Sequence, residues 1–188
     1  KDALFIDHFS LLHISDLHFR TTKNNQHYDQ ERSLRAILED LKALRHDQKI
    51  GRIKTVVISG DVGYKGREDS YDFAWLFLQN LCSELLISPK DVVLVSGNHD
   101  VNRNKAYTES LQIPLSMRED SILFSKFEAF LNFSSRFFDS PAFTVDKLYR
   151  IFDFGKVVVV AFNSCYREGN PIYRHRVRGN DYYPGWID

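Results

Sequence analysis

Short apolar runs alternate along the chain with longer one-sided stripes, and that alternation predicts its elements. Residues 9–14 form an apolar stretch that reads as a buried strand. A polar loop follows from Thr21 to His27. Leu34, Ile37, Leu38, Leu41 and Leu44 then recur at helical spacing, which predicts an amphipathic helix over residues 29–46. Gly51 ends that connection. The β-branched run TVVIS at 55–59 predicts a second buried strand. Tyr71, Ala74, Trp75, Leu78, Leu81, Cys82 and Leu85 make the next helical stripe, and Pro89 separates it from a third buried strand at 92–95. Uninterrupted apolar strands joined by helices, in the order βαβαβ, belong to a parallel sheet covered on both faces.

The rest of the pattern is less regular. Residues 102–118 are polar, with Pro114 among them. Leu123, Phe127, Phe130, Leu131, Ser134, Phe137 and Phe138 then share a helical face, whose aromatics read as a packing surface rather than a base-stacking platform. Residues 148–154 and 157–162 flank Gly155 and read as a hairpin, while residues 163–188 read mostly as loop. No repeat, low-complexity stretch or linker divides the chain, so the reading is a single α/β domain over residues 1–188.

Composition narrows the class. With 43% hydrophobic and 14% aromatic residues, the 188-residue chain can bury a sizeable core and is not a disordered one. No run approaches the roughly 20 apolar residues of a membrane span. The two cysteines, Cys82 and Cys165, exclude a disulfide framework or thiolate cluster and read as buried free thiols. Lys plus Arg (25) balance Asp plus Glu (25), which counts against nonspecific coating of nucleic acid but leaves room for a local phosphate site. The chain begins at Lys1, without a signal-peptide apolar segment, and stops at Trp186-Ile187-Asp188 just after a Pro-Gly pair. The expectation is a cytoplasmic part of a longer polypeptide with no membrane association.

Three clusters carry chemistry. Asp16-Leu17-His18 follows the first strand, Gly60-Asp61 the second, and Gly97-Asn98-His99-Asp100 the third. Loops at the carboxyl ends of parallel strands converge on one edge of the sheet, where ligands bind. Any one cluster alone reads as an ordinary turn. Together they deliver carboxylates, imidazoles and an amide to one place, where facing carboxylates are costly unless a divalent cation neutralises them. Such donors suit Mn, Fe, Zn, Co or Ni, and a two-oxygen carboxylate can bridge two cations that clamp a phosphoryl group. Gly60 and Gly97 let the backbone turn sharply beside a ligand.

The strings HISDLHF (13–19), VISGDVGYKG (57–66) and LVSGNHDVNR (94–103) resemble the calcineurin-like metallophosphoesterases. VVVVAFNS (157–164) resembles the strand and Asn-Ser turn that follow in that family, and the Gly-Asp-x-x-x-x-Gly form with Asn102-Arg103 is most similar to its cyclic-nucleotide phosphodiesterase branch. The resemblance implies an αββα sandwich and a dinuclear phosphoesterase that cleaves phosphodiester or phosphomonoester bonds through a metal-bound hydroxide. Residue by residue, it implies that Asp16 and His18 hold the first of two divalent transition metals, manganese among the candidates, that Asp61 bridges both, and that Asn98 holds the second. It gives His99 the substrate phosphate, either stabilising its charge or protonating the leaving oxygen. It gives Asp100 the task of orienting His99 through the second ring nitrogen.

The family closes its site with later histidines, one after a further strand and then a Gly-His-x-His pair. None of His8, His13, His18, His27, His46, His99 and His175 fits either pattern, so the reading places the missing C-terminal part beyond Asp188. His13 reads as structural and His175 as a loop residue. Arg103 and Asn163 are candidate substrate contacts, and Arg174, Arg176 and Arg178 a small basic cluster. The partner is a phosphate ester, with a nucleotide among the possibilities. Alternatives are a non-catalytic or regulatory module of the same fold, or a nuclease effector domain in a larger protein.

Overall fold

A computed structural model of the chain describes residues 9–20, 30–47, 49–114, 117, 125–139, 149–166, 175–177 and 180–182. Its first half runs β1 (Ser10–Ile14), α1 (Gln30–His46), β2 (Ile53–Ile58), α2 (Ser70–Leu85) and β3 (Val92–Leu94). The strands lie in the order β1-β2-β3 and both pairings are parallel, as the βαβαβ pattern requires. The second half continues with α3 (Arg103–Leu111), α4 (Glu128–Phe138), the hairpin β4 (Tyr149–Asp153) and β5 (Val158–Phe162), and the short pair β6 (His175–Val177) and β7 (Asn180–Tyr182).

The two faces of the parallel sheet bury different partners. Val56, Ile58, Leu94 and Ile14 turn to the helical side, where they join Leu38 and Leu41 of α1, Leu78 and Leu81 of α2, and Phe130, Phe133 and Phe137 of α4. Val57, Val93 and Val95 turn to the other side and meet Phe152, Val159 and Ala161 of the hairpin. The result is a helix–sheet–sheet stack. Strands covered on both faces need no polar alternation, which is why β2 and β3 read as continuous apolar runs. At the hairpin turn Gly155 takes φ +80°, and its N–H donates to Asp153 Oδ1 at 2.8 Å.

Four details depart from the pattern. β1 is half-buried rather than buried, because Leu11 and His13 stay exposed on the hairpin side of the sheet. His13 is satisfied there by Ser59 Oγ at 2.7 Å. α3 occupies a stretch read as irregular; only Ala106 and Ser110 are buried in it, so it carries no apolar stripe, and Asn102 caps it by accepting from the Lys105 N–H at 3.1 Å. The tail read as loop contains β6 and β7, so His175 begins a strand. Finally, Phe133, absent from the predicted stripe of α4, is 3% exposed at its centre. Leu123, Arg174 and Arg178 lie outside the described residues. Both cysteines are buried. Among the described residues no helix is long and apolar enough to cross a membrane.

Phe133 stacks on Tyr71 at 5.0 Å and 20° and touches Phe130 and Phe137. Phe133→Ala is expected to destabilise the protein by about 3–5 kcal/mol, the usual cost of deleting a buried ring. Phe73→Ala, on the exposed side of α2, is expected to cost less than about 0.5 kcal/mol. Urea unfolding of both variants checks the contrast.

Candidate metal centre

The chemistry-bearing clusters sit on three loops that leave the carboxyl ends of β1, β2 and β3. Parallel pairing continues past the strands into the first two: the Asp16 N–H donates to the Gly60 carbonyl at 3.3 Å, His18 to Asp61 at 2.8 Å, and Phe19 to Val62 at 2.9 Å. Asp16, His18 and Asp61 all adopt left-handed backbone, with φ of 58°, 46° and 53°. Each such residue costs about 1–2 kcal/mol relative to a right-handed one. Strain of that kind collects where a site needs a particular side-chain geometry.

The side chains converge. His18 Nε2 lies 3.6 Å from Asp16 Oδ1 and 3.8 Å from Asp61 Oδ2. The other oxygens are occupied: Asp16 Oδ2 accepts from the Ser15 hydroxyl at 2.6 Å, and Asp61 Oδ1 from the His99 N–H at 2.8 Å. Asp61 is the deeper carboxylate, 13% exposed against 66% for Asp16. His18, Asp61 and His99 each present a ligand atom, all within 4.8 Å of one another. The His18 and His99 rings meet edge to face at 4.5 Å. Asn98 begins the 3-10 turn Asn98–Asp100 beside them, with its side chain exposed.

Two glycines make this approach possible. A Cβ on Gly97 would stand 2.2 Å from Asp61 Oδ1 and 2.4 Å from Asp61 N. Gly60 takes φ +116°, and a Cβ there would lie 2.9 Å from the Gly97 Cα. The second and third loops therefore touch backbone to backbone, and the Asp61 carboxylate rests in the space that a side chain at 97 would fill.

Asp100 departs from its expected role. Its carboxylate is fully buried and accepts four hydrogen bonds, from Gly63 N (2.6 Å) and Tyr71 Oη (2.9 Å) on Oδ1, and from Gly97 N (2.9 Å) and Val62 N (3.1 Å) on Oδ2. None of these partners is the His99 ring, so the expected carboxylate–imidazole contact is not formed. The physical reason is the 3-10 turn: with three residues per turn, neighbouring side chains diverge by about 120°. Burial pushes the Asp100 carboxyl up to about 6 against the opposite pull of its donors. Tyr71, read from the sequence only as part of an apolar stripe, is the phenol that closes this network, and burial holds its pKa well above the usual tyrosine value. The signal was available in the residue type, since a buried tyrosine needs a partner for its hydroxyl.

The remaining candidates lie further out. Arg103 is exposed at the start of α3, and its charge acts on His99. Burial lowers the His99 imidazole below the ordinary histidine value; Asp61 opposes this, and His18 and Arg103 reinforce it. Asn163 Oδ1 accepts from the Cys165 N–H at 3.0 Å and closes a turn after β5, and no hydrogen bond of its side chain reaches the cluster.

A shared cation fits these residues. Donor atoms bound at about 2.1 Å to one ion stand about 3–3.5 Å apart. The 3.6 and 3.8 Å separations found here close to that spacing with a slight side-chain rotation. Carboxylate with imidazole is a donor set for divalent transition metals. A family model described as calcineurin-like phosphoesterase matches residues 9–180. The chain belongs to this family. The match takes in all three loops and the hairpin, and the mixed α/β architecture, with its parallel sheet, is that of the calcineurin-like phosphoesterases. No curated protein sequence matches the chain. The family's chemistry is metal-dependent phosphoester hydrolysis, and His18, Asp61 and His99 form a group of side chains that could hold a metal ion.

Gly97→Ala is expected to displace the Asp61 carboxylate and weaken divalent-metal binding at least tenfold in a calorimetric titration with Mn²⁺, because the clash is with the backbone and carboxylate of a candidate ligand. Tyr71→Phe removes one of four donors to Asp100 and is expected to cost about 1–3 kcal/mol in urea unfolding while leaving metal affinity within about threefold.

Proposed function

We propose that this phosphoesterase hydrolyses a phosphodiester at a centre of two divalent transition metals. The observation that carries the reading is the convergence of Asp16, His18, Asp61 and His99 from three separate loops onto one edge of the parallel sheet. Asp16, His18 and Asp61 would hold the first cation, and Asp61 with Asn98 the second. When bound, the cations supply charge that polarises the phosphoryl oxygens and a hydroxide nucleophile at neutral pH. The residues of the chain do the rest. His99, on the third loop, stabilises charge on the phosphoryl oxygens or hands a proton to the leaving oxygen through a ring nitrogen. Arg103 adds positive charge on the same side. The Gly60-Asp61 to Gly66 loop makes a cyclic-nucleotide-like phosphodiester the first substrate class to test. Phosphomonoesters are the comparison.

One observation favours a second assignment. His99 offers a nitrogen close enough to His18 and Asp61 to be a ligand itself. The two assignments separate in one variant. His99→Ala is expected to keep its metal content and lose about 10²-fold in turnover of a chromogenic bis-phosphodiester with Mn²⁺. Loss of metal in that variant, by elemental analysis, makes His99 a ligand instead. Asp61→Asn is expected to abolish the rise in Tm that Mn²⁺ produces in the wild-type chain, because binding to the folded state alone is what raises stability. A Tm rise that survives in Asp61→Asn places the cation elsewhere.

A further inference from the structure

His99 is held in an unusual way. Its backbone is pinned on both sides, the N–H donating to Asp61 Oδ1 at 2.8 Å and the carbonyl accepting from Gly66 N at 2.9 Å. Its ring has no hydrogen bond to either nitrogen among the described residues, since Asp100 is committed to Val62, Gly63, Gly97 and Tyr71. What fixes the imidazole is packing: edge to face on His18, and stacked on Tyr64 at 5.5 Å with the planes 17° apart. An imidazole that must meet a phosphate needs its plane set by something.

We infer that Tyr64 sets it, acting as the positioning residue for His99, a role that rests on the phosphoesterase reading above. Tyr64 is suited to this because its own loop is stiff. The Gly63 N–H donates to Asp100 Oδ1 at 2.6 Å on one side of it. On the other side Gly66 is bonded to His99, and its carbonyl accepts from Asn102 Nδ2 at 3.4 Å. Lys65 between them is held at φ 59°. The ring is also gripped by charge: the Arg20 guanidinium, from the first loop, lies 5.2 Å from its centre and the Lys65 ammonium 5.3 Å. Cations over an aromatic ring are attracted by its quadrupole. Tyr64 thus ties the first loop to the imidazole of the third. The ring plane does the work, and the hydroxyl is dispensable.

The test compares Tyr64→Phe, which keeps the ring, with Tyr64→Leu, which keeps bulk and loses it. Tyr64→Leu is expected to lower kcat on the bis-phosphodiester about tenfold or more, with KM and bound metal within about threefold, since misplacing a reacting group by about 1 Å costs up to 10²-fold. Tyr64→Phe is expected to rescue kcat to within about twofold of wild type. The effect of Tyr64→Leu is expected to vanish in a His99→Ala background, as coupling through one group requires. The His99 Cε1–H proton resonance, followed by NMR, is expected to move downfield in Tyr64→Leu and hold in Tyr64→Phe. A Tyr64→Leu variant with wild-type kcat overturns the inference, as does one that costs as much without His99. A wild-type chain that binds metal and turns nothing over sinks the phosphoesterase reading alone. The resonance then decides the positioning: movement confined to the ring-less variant supports it, and an unmoved resonance overturns it.

Discussion

A single buried carboxylate holds the centre together. Removing an aspartate from water is costly unless its charge is met by hydrogen bonds. Asp100 meets that cost with two donors on each oxygen, three of them backbone amides. Val62 and Gly63 belong to the second loop and Gly97 to the third, so satisfying Asp100 fixes the distance between those loops. The placing of Asp61 against His99 follows from that distance. The contact between Gly97 and Asp61 arises because the loops are drawn this close, and it is tolerated because residue 97 has no side chain.

The network also connects the site to the core. Tyr71 donates to Asp100 from α2, and its ring stacks on Phe133 of α4. Packing between two helices is therefore transmitted through one phenol to the backbone of two site loops. Rigid support of this kind is what the strained loops require. Left-handed backbone at Asp16, His18 and Asp61 persists only where the surroundings over-determine it. The largely buried strand β2 and the fully buried β3 beneath, and the backbone bonds between the first two loops, supply that constraint.

The fold was legible in the sequence where burial writes a simple pattern. β2 and β3 are covered on both faces and appear as apolar runs; α1 and α2 are covered on one and appear as stripes. Pattern reading failed where burial is partial or absent. α3 buries only Ala106 and Ser110, so its periodicity is silent and its cap at Asn102 was the one available signal. In β1 the adjacent leucines at 11 and 12 suggested burial of both, and the sheet covers only one. The site was legible for a different reason: strand ends are visible, and residues following parallel strands share an edge. That put Asp16, His18, Asp61 and His99 forward as candidates, and their side chains do lie together. It could not reveal what each side chain touches. Asp100 is next to His99 in sequence and turned away from it in space, and Tyr64 and Tyr71 reach the site from positions that look like loop filler and core.

Charge across the centre has a direction, and the topology produces it. The first two loops bring the carboxylates Asp16 and Asp61, with His18 between them. The third loop and the start of α3 bring Asn98, His99 and Arg103, which carry no negative charge outside the buried Asp100. Negative charge therefore enters the cluster from the first two loops, and the positive charge of Arg103 from beside His99. Burial lowers the His99 imidazole below the ordinary histidine value, His18 and Arg103 act in the same direction, and Asp61 and Asp16 oppose them. Each of these charges acts more weakly with distance, so the position of the ring sets how strongly it feels them. In the positioning role proposed for Tyr64, its stacking sets how far the imidazole stands from each of these groups.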